Sequence, residues 1–206
     1  EREEDQVRVV LKVLDIANVE NKDSLRRFIR EYRLIGQLDH PNIARVLDGG
    51  ATDRGRPYFV MELIKGKKMT EYCDQEGLSI RERLELFVQV CRAVQHAHQK
   101  GIIHRDIKPQ HVLIDKTGCA LLSDFGIAKV AWRTIRASGS GTLGYCAPEQ
   151  AMGKPSFRSD VFALGLIMFR MLTGRLPEWP FVWPPEGYRR LRRRVHPDLI
   201  ELIRRS

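Results

Sequence analysis

The chain has 206 residues, 43% of them hydrophobic, and a formal net charge of +9. This composition is ordinary for one sizeable folded domain or two small lobes, so it argues against a disordered chain. No apolar run reaches the roughly 18 residues that a membrane helix requires, and the acidic residues 1–5 are unlike a secretory signal. We therefore expect a cytoplasmic protein without a membrane segment.

The cysteines and the basic residues indicate no metal motif and no nucleic-acid site. Cys73, Cys91, Cys119 and Cys146 form no CxxC pair, so neither a zinc site nor a disulfide framework is indicated. Part of the positive charge lies in Arg189–Arg194, which favours a solvated helix face over a polyanion site. No aromatic residues interleave these arginines, so nucleic-acid binding is not expected.

The first third of the chain predicts strands and one helix. Alternating side chains from Val7 to Leu14 predict a strand with Val10 and Lys12 on the same face. A helix pattern follows, which contains Glu31 and ends at Gly36, with apolar positions at Leu25, Phe28, Ile29, Tyr32 and Ile35. The apolar run 58–63 predicts another strand, and the polar residues 65–68 after it predict a connector between two lobes.

The rest of the chain is predicted to be mainly helical. Ser79 and Glu82 form a capping-box pattern ahead of an amphipathic helix that Gly101 ends. Two short apolar runs, 112–114 and 120–122, are spaced as a hairpin. Ser159 and Asp160 can cap a helix over 161–172, which is apolar nearly all round and so belongs in the core.

Five short motifs carry the functional signal because of their order. Taken singly, Lys12 has the plain interpretation of an exposed strand residue, and Asp106 and Asp124 that of turn residues. In chain order, however, the sequence contains a strand lysine, a helix glutamate, His104-Arg105-Asp106, Asp124-Phe125-Gly126 and Ala147-Pro148-Glu149. Protein kinases carry these elements in the same order.

With these motifs, the chain resembles eukaryotic-type serine/threonine protein kinases of the kind also found in bacteria. The resemblance covers nearly the whole chain and implies an α+β fold of two lobes, with ATP bound between them. Residues 1–64 would form a partial, sheet-rich small lobe, and residues 65–206 a larger helical lobe. The implied partners are ATP and a protein substrate with a serine or threonine acceptor.

The resemblance also implies a role for each motif residue. Phosphoryl transfer needs neutralised charge and alignment more than covalent chemistry. Lys12 would hold the α and β phosphates, and Glu31 would pair with it. Asp124 would bind Mg²⁺, a hard cation that prefers oxygen. Asp106 would orient the substrate hydroxyl and accept its proton, while Lys108, as in serine/threonine enzymes, would steady the transferred phosphate.

The adenine pocket follows from the same resemblance. Met61 matches the gatekeeper, the backbone of Glu62 and Ile64 the hinge, and Leu113 the floor, while Val10 would lie against the adenine. For Met61 and Leu113, plain core packing is an equally good interpretation, and it is compatible with a pocket role.

The loop between Phe125 and Ala147 is a candidate regulatory segment. It contains four hydroxyl residues, Thr134, Ser138, Ser140 and Thr142, and Arg105 could receive a phosphate placed on one of them. We predict activation by phosphorylation of this loop, with an unregulated surface loop as the alternative.

Several departures from the family pattern weaken the expectation of catalysis. No glycine-rich loop precedes Lys12, so backbone N–H groups that would hold phosphate are missing from the pattern. Val10 stands where the family has alanine, and its two extra methyl groups would crowd the adenine unless the base is slightly shifted. His111 stands where the family has the asparagine that binds a second Mg²⁺. Imidazole is a poor ligand for Mg²⁺ and suits Mn²⁺ better, so a defect in binding the second Mg²⁺ is predicted.

The far end of the chain leaves a further question. The family pattern continues past Ser206 with an arginine that pairs with Glu149, so this carboxylate is expected to lack that partner. Together with the departures at the glycine-rich loop, Val10 and His111, this leaves two alternatives to an active kinase open. One is a pseudokinase or scaffold module with weak or no phosphotransfer, and the other is an inactive fragment.

Overall fold

The computed structural model describes residues 8–13, 22–53, 55–125, 143–178 and 180–206. The strands are β1 Val9–Val13, β2 Val46–Ala51, β3 Pro57–Glu62, β4 Gly66–Lys68, β5 Val112–Asp115 and β6 Ala120–Leu122. The α-helices are α1 Lys22–Gly36, α2 Met69–Gln75, α3 Ile80–Gln99, α4 Pro148–Ala151, α5 Phe157–Thr173, α6 Tyr188–Arg192 and α7 Pro197–Arg205. Short 3-10 turns span Pro109–His111 and Leu143–Tyr145. None of the helices in these ranges is both long and apolar enough to cross a lipid bilayer.

The first sheet has the strand order β1-β3-β2, and both outer strands run antiparallel to β3. Exposure alternates along β1 because successive side chains of a strand point to opposite faces. Val10 and Lys12 therefore share the more buried face, as predicted, and Val10 lies opposite Met61 in the register. Helix α1 packs on this sheet, where the Tyr32 hydroxyl donates to the Gly49 carbonyl at 2.8 Å.

The second sheet has the order β4-β5-β6, and its β5–β6 hairpin is the predicted one. At the hairpin turn, Asp115 Oδ1 accepts hydrogen bonds from the Thr117 and Cys119 N–H groups at 2.8 and 3.0 Å. The prediction that 65–68 forms only a connector is wrong, because Gly66–Lys68 pairs with β5. Gly66 permits this pairing, since a side chain there would overlap the Ile114 carbonyl oxygen.

Two long helices form the centre of the helical part. The capping box at the start of α3 is confirmed: Ser79 Oγ accepts from the Glu82 N–H, and the Glu82 carboxylate accepts from the Ser79 N–H at 2.8 Å. Helix α5 is buried along most of its length, as its apolar sequence predicted. Its predicted start is wrong, however, because Ser156 is the N-cap and donates its N–H to Ser159 Oγ at 3.0 Å.

Backbone hydrogen bonds join the region of the first sheet to the second sheet. The Ala44 N–H donates to the Leu122 carbonyl at 2.9 Å, and the Leu122 N–H donates to the Asn42 carbonyl at 2.8 Å. The Asn42 side chain also donates to the Ala120 carbonyl at 2.8 Å. Segment 42–44 thus extends the edge of β6 and fixes the first sheet beside the end of the second. These bonds cross the predicted lobe boundary at residue 64, which stays a prediction.

Candidate active site

A buried carboxylate, Asp160, fixes the backbone of the predicted catalytic loop. It is 1% exposed and accepts hydrogen bonds from the N–H groups of His104 at 2.8 Å and Arg105 at 2.9 Å. His98 Nε2 lies 2.8 Å from the same carboxylate. A buried charge requires such partners. They hold Arg105 at φ 66°, a left-handed conformation that non-glycine residues seldom adopt.

His104 connects this loop to the segment that follows β6. Its Nε2 lies 2.9 Å from the Ser123 carbonyl, and its Nδ1 accepts the Asp106 N–H at 3.2 Å. Because a carbonyl oxygen only accepts, the ring must carry its proton on Nε2. The ring also packs against Phe125 in a tilted arrangement, with centroids 4.5 Å apart. Complete burial lowers the pKa of His104 to about 4, so the ring is neutral at physiological pH.

Asp106 and Lys108 form an ion pair at the end of the loop. Lys108 Nζ lies 3.0 Å from Asp106 Oδ2, and the two side chains are only 16% and 15% exposed. The carboxylate can orient a hydroxyl and accept its proton, while the ammonium can face a negatively charged group beside it. The structure therefore brings together two of the predicted catalytic residues.

His111 lies in the 3-10 turn between Asp106 and Asp124. Its Nδ1 is 2.8 Å from the Asp106 carbonyl oxygen and 3.5 Å from the Asp106 carboxylate, and its Nε2 is 3.8 Å from Asp124 Oδ2. Burial is the main cause that lowers the pKa of His111 below its usual range. The ring thus lies between the two aspartates that the motifs indicated.

Asp124 contacts Lys12 across the two sheets. Lys12 Nζ donates to Asp124 Oδ1, which links β1 to the residues after β6. Asp124 has φ 60°, so it too occupies the left-handed region. The side chain of Glu31 lies outside the described part of the structure, and its predicted pairing with Lys12 stays a prediction. The observed partner of Lys12 is the aspartate predicted to bind metal.

Comparison with known proteins identifies this arrangement. Residues 1–181 match the family described as the protein kinase domain. The chain belongs to the protein kinase family. It is 40% identical over 174 residues to "Serine/threonine-protein kinase PrkC" of Bacillus subtilis, covering 82% of this chain and 27% of that protein. It is also 40% identical over 179 residues to "Serine/threonine-protein kinase PknA" of Mycobacterium tuberculosis, covering 82% of this chain and 42% of that protein.

A solved kinase structure supports the predicted fold. The Mycobacterium tuberculosis PknI kinase domain superposes with a TM-score of 0.67 at 30% sequence identity, covering 88% of this chain and 70% of that one. The predicted two-lobed α+β fold is therefore confirmed. The chain spans less than half of the length of the two curated relatives above, so their whole-protein activities bear on it only as proposals.

The predicted adenine residues lie on β1, β3 and β5, except for Ile64, which lies between β3 and β4. Met61 is buried, while Val10, Ile64 and Leu113 are partly buried. The Glu62 N–H donates to the Arg45 carbonyl at 3.0 Å, so a hinge contact from Glu62 would use its carbonyl. Contact of these residues with adenine stays a prediction.

The predicted regulatory loop lies mostly outside the described residues. This holds for Gly126 and for Thr134, Ser138, Ser140 and Thr142. Within the described part of the chain, Arg105 Nε is buried and has no hydrogen-bond partner, while the Arg105 carbonyl accepts from Gln150 Nε2 at 2.6 Å. Activation of this kinase domain by loop phosphorylation stays a prediction.

Glu149 has a partner that the sequence did not indicate. Ser159 Oγ donates to Glu149 Oε1 at 2.6 Å, so this carboxylate has a hydrogen-bond partner among the described residues. The sequence pattern assigned Ser159 and Asp160 to a helix cap. It did not indicate that Ser159 pairs with Glu149 or that Asp160 fixes the backbone of the loop that carries Asp106. The sequence offered only an indirect signal: two adjacent polar residues lie at the start of a helix that is apolar nearly all round, and polar groups buried there need partners.

The described residues fit a nucleotide-bound cation better than a metal held by protein alone. No group of three or more metal-ligating side chains occurs among the residues with described positions. Asp124 Oδ2 suits Mg²⁺, which often uses one or two carboxylates together with substrate phosphates. The second oxygen ligand of the kinase pattern does not fit, because His111 offers nitrogen at that position.

Proposed function

We propose that this chain transfers the γ-phosphoryl group of ATP to serine or threonine hydroxyls of protein substrates. One observation carries the proposal: two carboxylates and two ammonium groups from separate segments meet at one place. Lys12 contacts Asp124, Lys108 lies 3.0 Å from Asp106, and His111 lies between the two aspartates. Such a set of opposite charges suits phosphoryl transfer.

The chemistry assigned to each group follows from its position. In the reaction, the substrate hydroxyl oxygen bonds to the γ-phosphorus, and the bond from that phosphorus to the β–γ bridging oxygen breaks. Asp106 orients the hydroxyl and accepts its proton. Lys12 offsets charge on the α and β phosphates, and Lys108 offsets charge on the transferred group. ADP leaves with the electrons of the broken bond.

The choice of acceptor and cofactor also rests on named residues. Lys108 two residues after Asp106 supports serine and threonine as acceptors, and the names of the two bacterial relatives agree with it. Asp124 would hold the divalent cation that accompanies ATP. Because ATP and reduced cysteines belong to the interior of the cell, the cytoplasm is the proposed location of this domain.

A paired binding and transfer measurement tests the proposal. We expect ATP with Mg²⁺ or Mn²⁺ to raise the melting temperature, and radiolabel to move from [γ-³²P]ATP to a generic protein acceptor. Asp106→Asn should lower the transfer rate about 10²- to 10⁴-fold, because it removes the proton acceptor, and should leave the thermal shift by ATP in place.

Asp53→Asn is the matched control, since Asp53 is exposed in the turn between β2 and β3. Its transfer rate should equal that of the parent. Stabilisation by ATP without transfer in the parent chain would select the nucleotide-binding pseudokinase instead. Neither stabilisation nor transfer would select the inactive fragment.

A further inference from the structure

The hydrogen bond that His111 makes with the catalytic loop determines which ring nitrogen has a lone pair. Nδ1 lies 2.8 Å from the Asp106 carbonyl oxygen, which can only accept, so Nδ1 carries the proton. In the neutral ring, Nε2 is then unprotonated. This nitrogen lies 3.8 Å from Asp124 Oδ2, so an unprotonated nitrogen and a carboxylate oxygen are neighbours with no proton to share.

The two carboxylate oxygens of Asp124 have different neighbours. Oδ1 accepts from Lys12, whereas Oδ2 has only Ser123 Oγ at 3.5 Å and the His111 ring nearby among the described residues. Two electron-rich atoms therefore lie 3.8 Å apart in a site where the side chains of His111 and Asp124 are 14% and 21% exposed. Their separation is less than twice a metal–ligand bond of about 2.1 Å, so one cation can contact both.

We propose that His111 Nε2 and Asp124 Oδ2 together ligate the divalent cation and that the nitrogen ligand shifts the metal preference of this site from Mg²⁺ to Mn²⁺. The inference rests on the nucleotide site of the proposed function, because phosphate and water oxygens must complete the coordination. Mg²⁺ strongly prefers oxygen, whereas first-row transition metals accept imidazole. The hydrogen bond from Nδ1 to Asp106 orients the ring, as is usual for a metal-binding histidine.

Because this cation would touch both the loop carrying Asp106 and the residue Asp124, His111 becomes a determinant of metal specificity. A histidine with only a packing role would support the loop through Nδ1 and leave Nε2 without a ligand function. Metal binding measured directly distinguishes these two roles, since only a coordinated nitrogen gives a strong contact coupling to Mn²⁺.

The test uses Mn²⁺ with ADP and the whole chain. Competition between Mn²⁺ and Mg²⁺, followed by the electron paramagnetic resonance signal of unbound Mn²⁺, gives the affinity ratio. Pulsed measurements on the bound ion detect a directly coordinated nitrogen, and labelling with [¹⁵N]histidine assigns that nitrogen to a side chain. His111→Asn restores an oxygen ligand, and His196→Asn, at an exposed histidine before α7, is the matched control.

We expect histidine nitrogen coupling in the parent and in His196→Asn but not in His111→Asn. The ratio of Mn²⁺ to Mg²⁺ affinity should fall at least about tenfold in His111→Asn, in line with the effect of changing groups around a metal site. His111→Gln, checked for folding by circular dichroism, should behave like His111→Asn and guards against a folding artefact. Absence of histidine coupling in the parent, or an unchanged ratio in a folded His111 variant, would overturn the inference.

Phosphotransfer measured on the same samples separates this inference from the proposed function. Nitrogen coordination without transfer leaves the metal assignment standing and overturns the kinase activity. Transfer without nitrogen coordination supports the kinase activity and overturns the metal assignment. Failure of Mn²⁺ and ADP to bind at all overturns the metal assignment as well.

Discussion

The two parts of the protein that meet at the candidate active site are held in different ways. Asp106 and its loop are anchored by buried polar groups, with Asp160 at 1% exposure and His104 also at 1%. Lys12 instead lies on β1, which pairs only with β3 in the described sheet. The other face of β1 is open, with Leu11 58% exposed.

The difference separates the Asp106 loop, which is proposed to carry out the transfer, from β1 and Lys12, which are proposed to bind the nucleotide. Asp106, the proposed proton acceptor, and Lys108, proposed to face the phosphate, belong to a loop that cannot shift without breaking buried hydrogen bonds. The Lys12 ammonium is positioned by one strand pairing and by its contact with Asp124. We therefore expect substitutions in the loop support to destabilise the fold, and substitutions at Lys12 to alter mainly the nucleotide site.

Asp160→Ala should give the largest loss of stability. The substitution leaves the N–H groups of His104 and Arg105, and the ring of His98, without their shared acceptor. Each buried group left unpaired costs about 1 to 3 kcal/mol, so we expect the free energy of unfolding to fall by roughly 3 to 5 kcal/mol. Urea denaturation measures this change.

Asp74→Ala is the matched control for Asp160. Asp74 pairs with Arg83 at 2.8 Å, but its side chain is 47% exposed. A surface pair of this kind contributes about 0 to 1 kcal/mol, so its loss should be small. Equal effects of the two substitutions would show that the buried carboxylate is not the support of the loop.

The motif side chains of the candidate site were easier to predict from the sequence than the buried residues that hold them in place. Lys12, Asp106, Lys108 and Asp124 were selected because their motifs occur in the order that protein kinases have, and their roles stay predictions. The strand β1 and the capping box of α3 were found because side-chain periodicity and capping depend on neighbours in sequence. The structure brings these four side chains to one place, as the motifs implied.

The supports were missed because they depend on contacts between residues distant in sequence. Asp160 follows Ser159 at the start of a helix, so a local interpretation gives it a cap role, whereas its partners lie 55 and 56 residues earlier. The strand Gly66–Lys68 was missed for the same reason, because only its pairing with β5 makes it a strand.

The exposed arginines 189 and 192–194 fit the predicted solvated face.

The loop support should also make stability depend on pH through His104. Burial lowers the pKa of His104 to about 4 in the folded chain, from an ordinary value of 6.5. Below pH 6.5 the unfolded chain therefore binds a proton that the folded chain does not. The contribution of neutral His104 is present above pH 6.5 and is lost as the pH falls toward 4. Between pH 6.5 and 5 the loss is about 2 kcal/mol.

His104→Phe provides the comparison for this pH dependence. The ring can still pack on Phe125, but it no longer titrates, and the bonds to Ser123 and Asp106 are lost. The variant should be less stable at pH 7, by about 1 to 3 kcal/mol. Its stability should then fall about 2 kcal/mol less than that of the parent between pH 7 and 5. Identical pH profiles from urea denaturation would contradict the assignment.

Lys12→Met should give the smallest change in stability, and it tests the other half of the comparison. The ion pair with Asp124 is partly exposed, with Lys12 at 37%, so its removal should cost no more than about 1 kcal/mol. The methionine keeps most of the side-chain length on β1. Because the ammonium would face the phosphates, the thermal shift produced by ATP should nevertheless shrink or vanish. A loss of stability as large as that of Asp160→Ala would mean that β1 and its lysine support the fold itself. The nucleotide site and the catalytic loop would then be one cooperative unit.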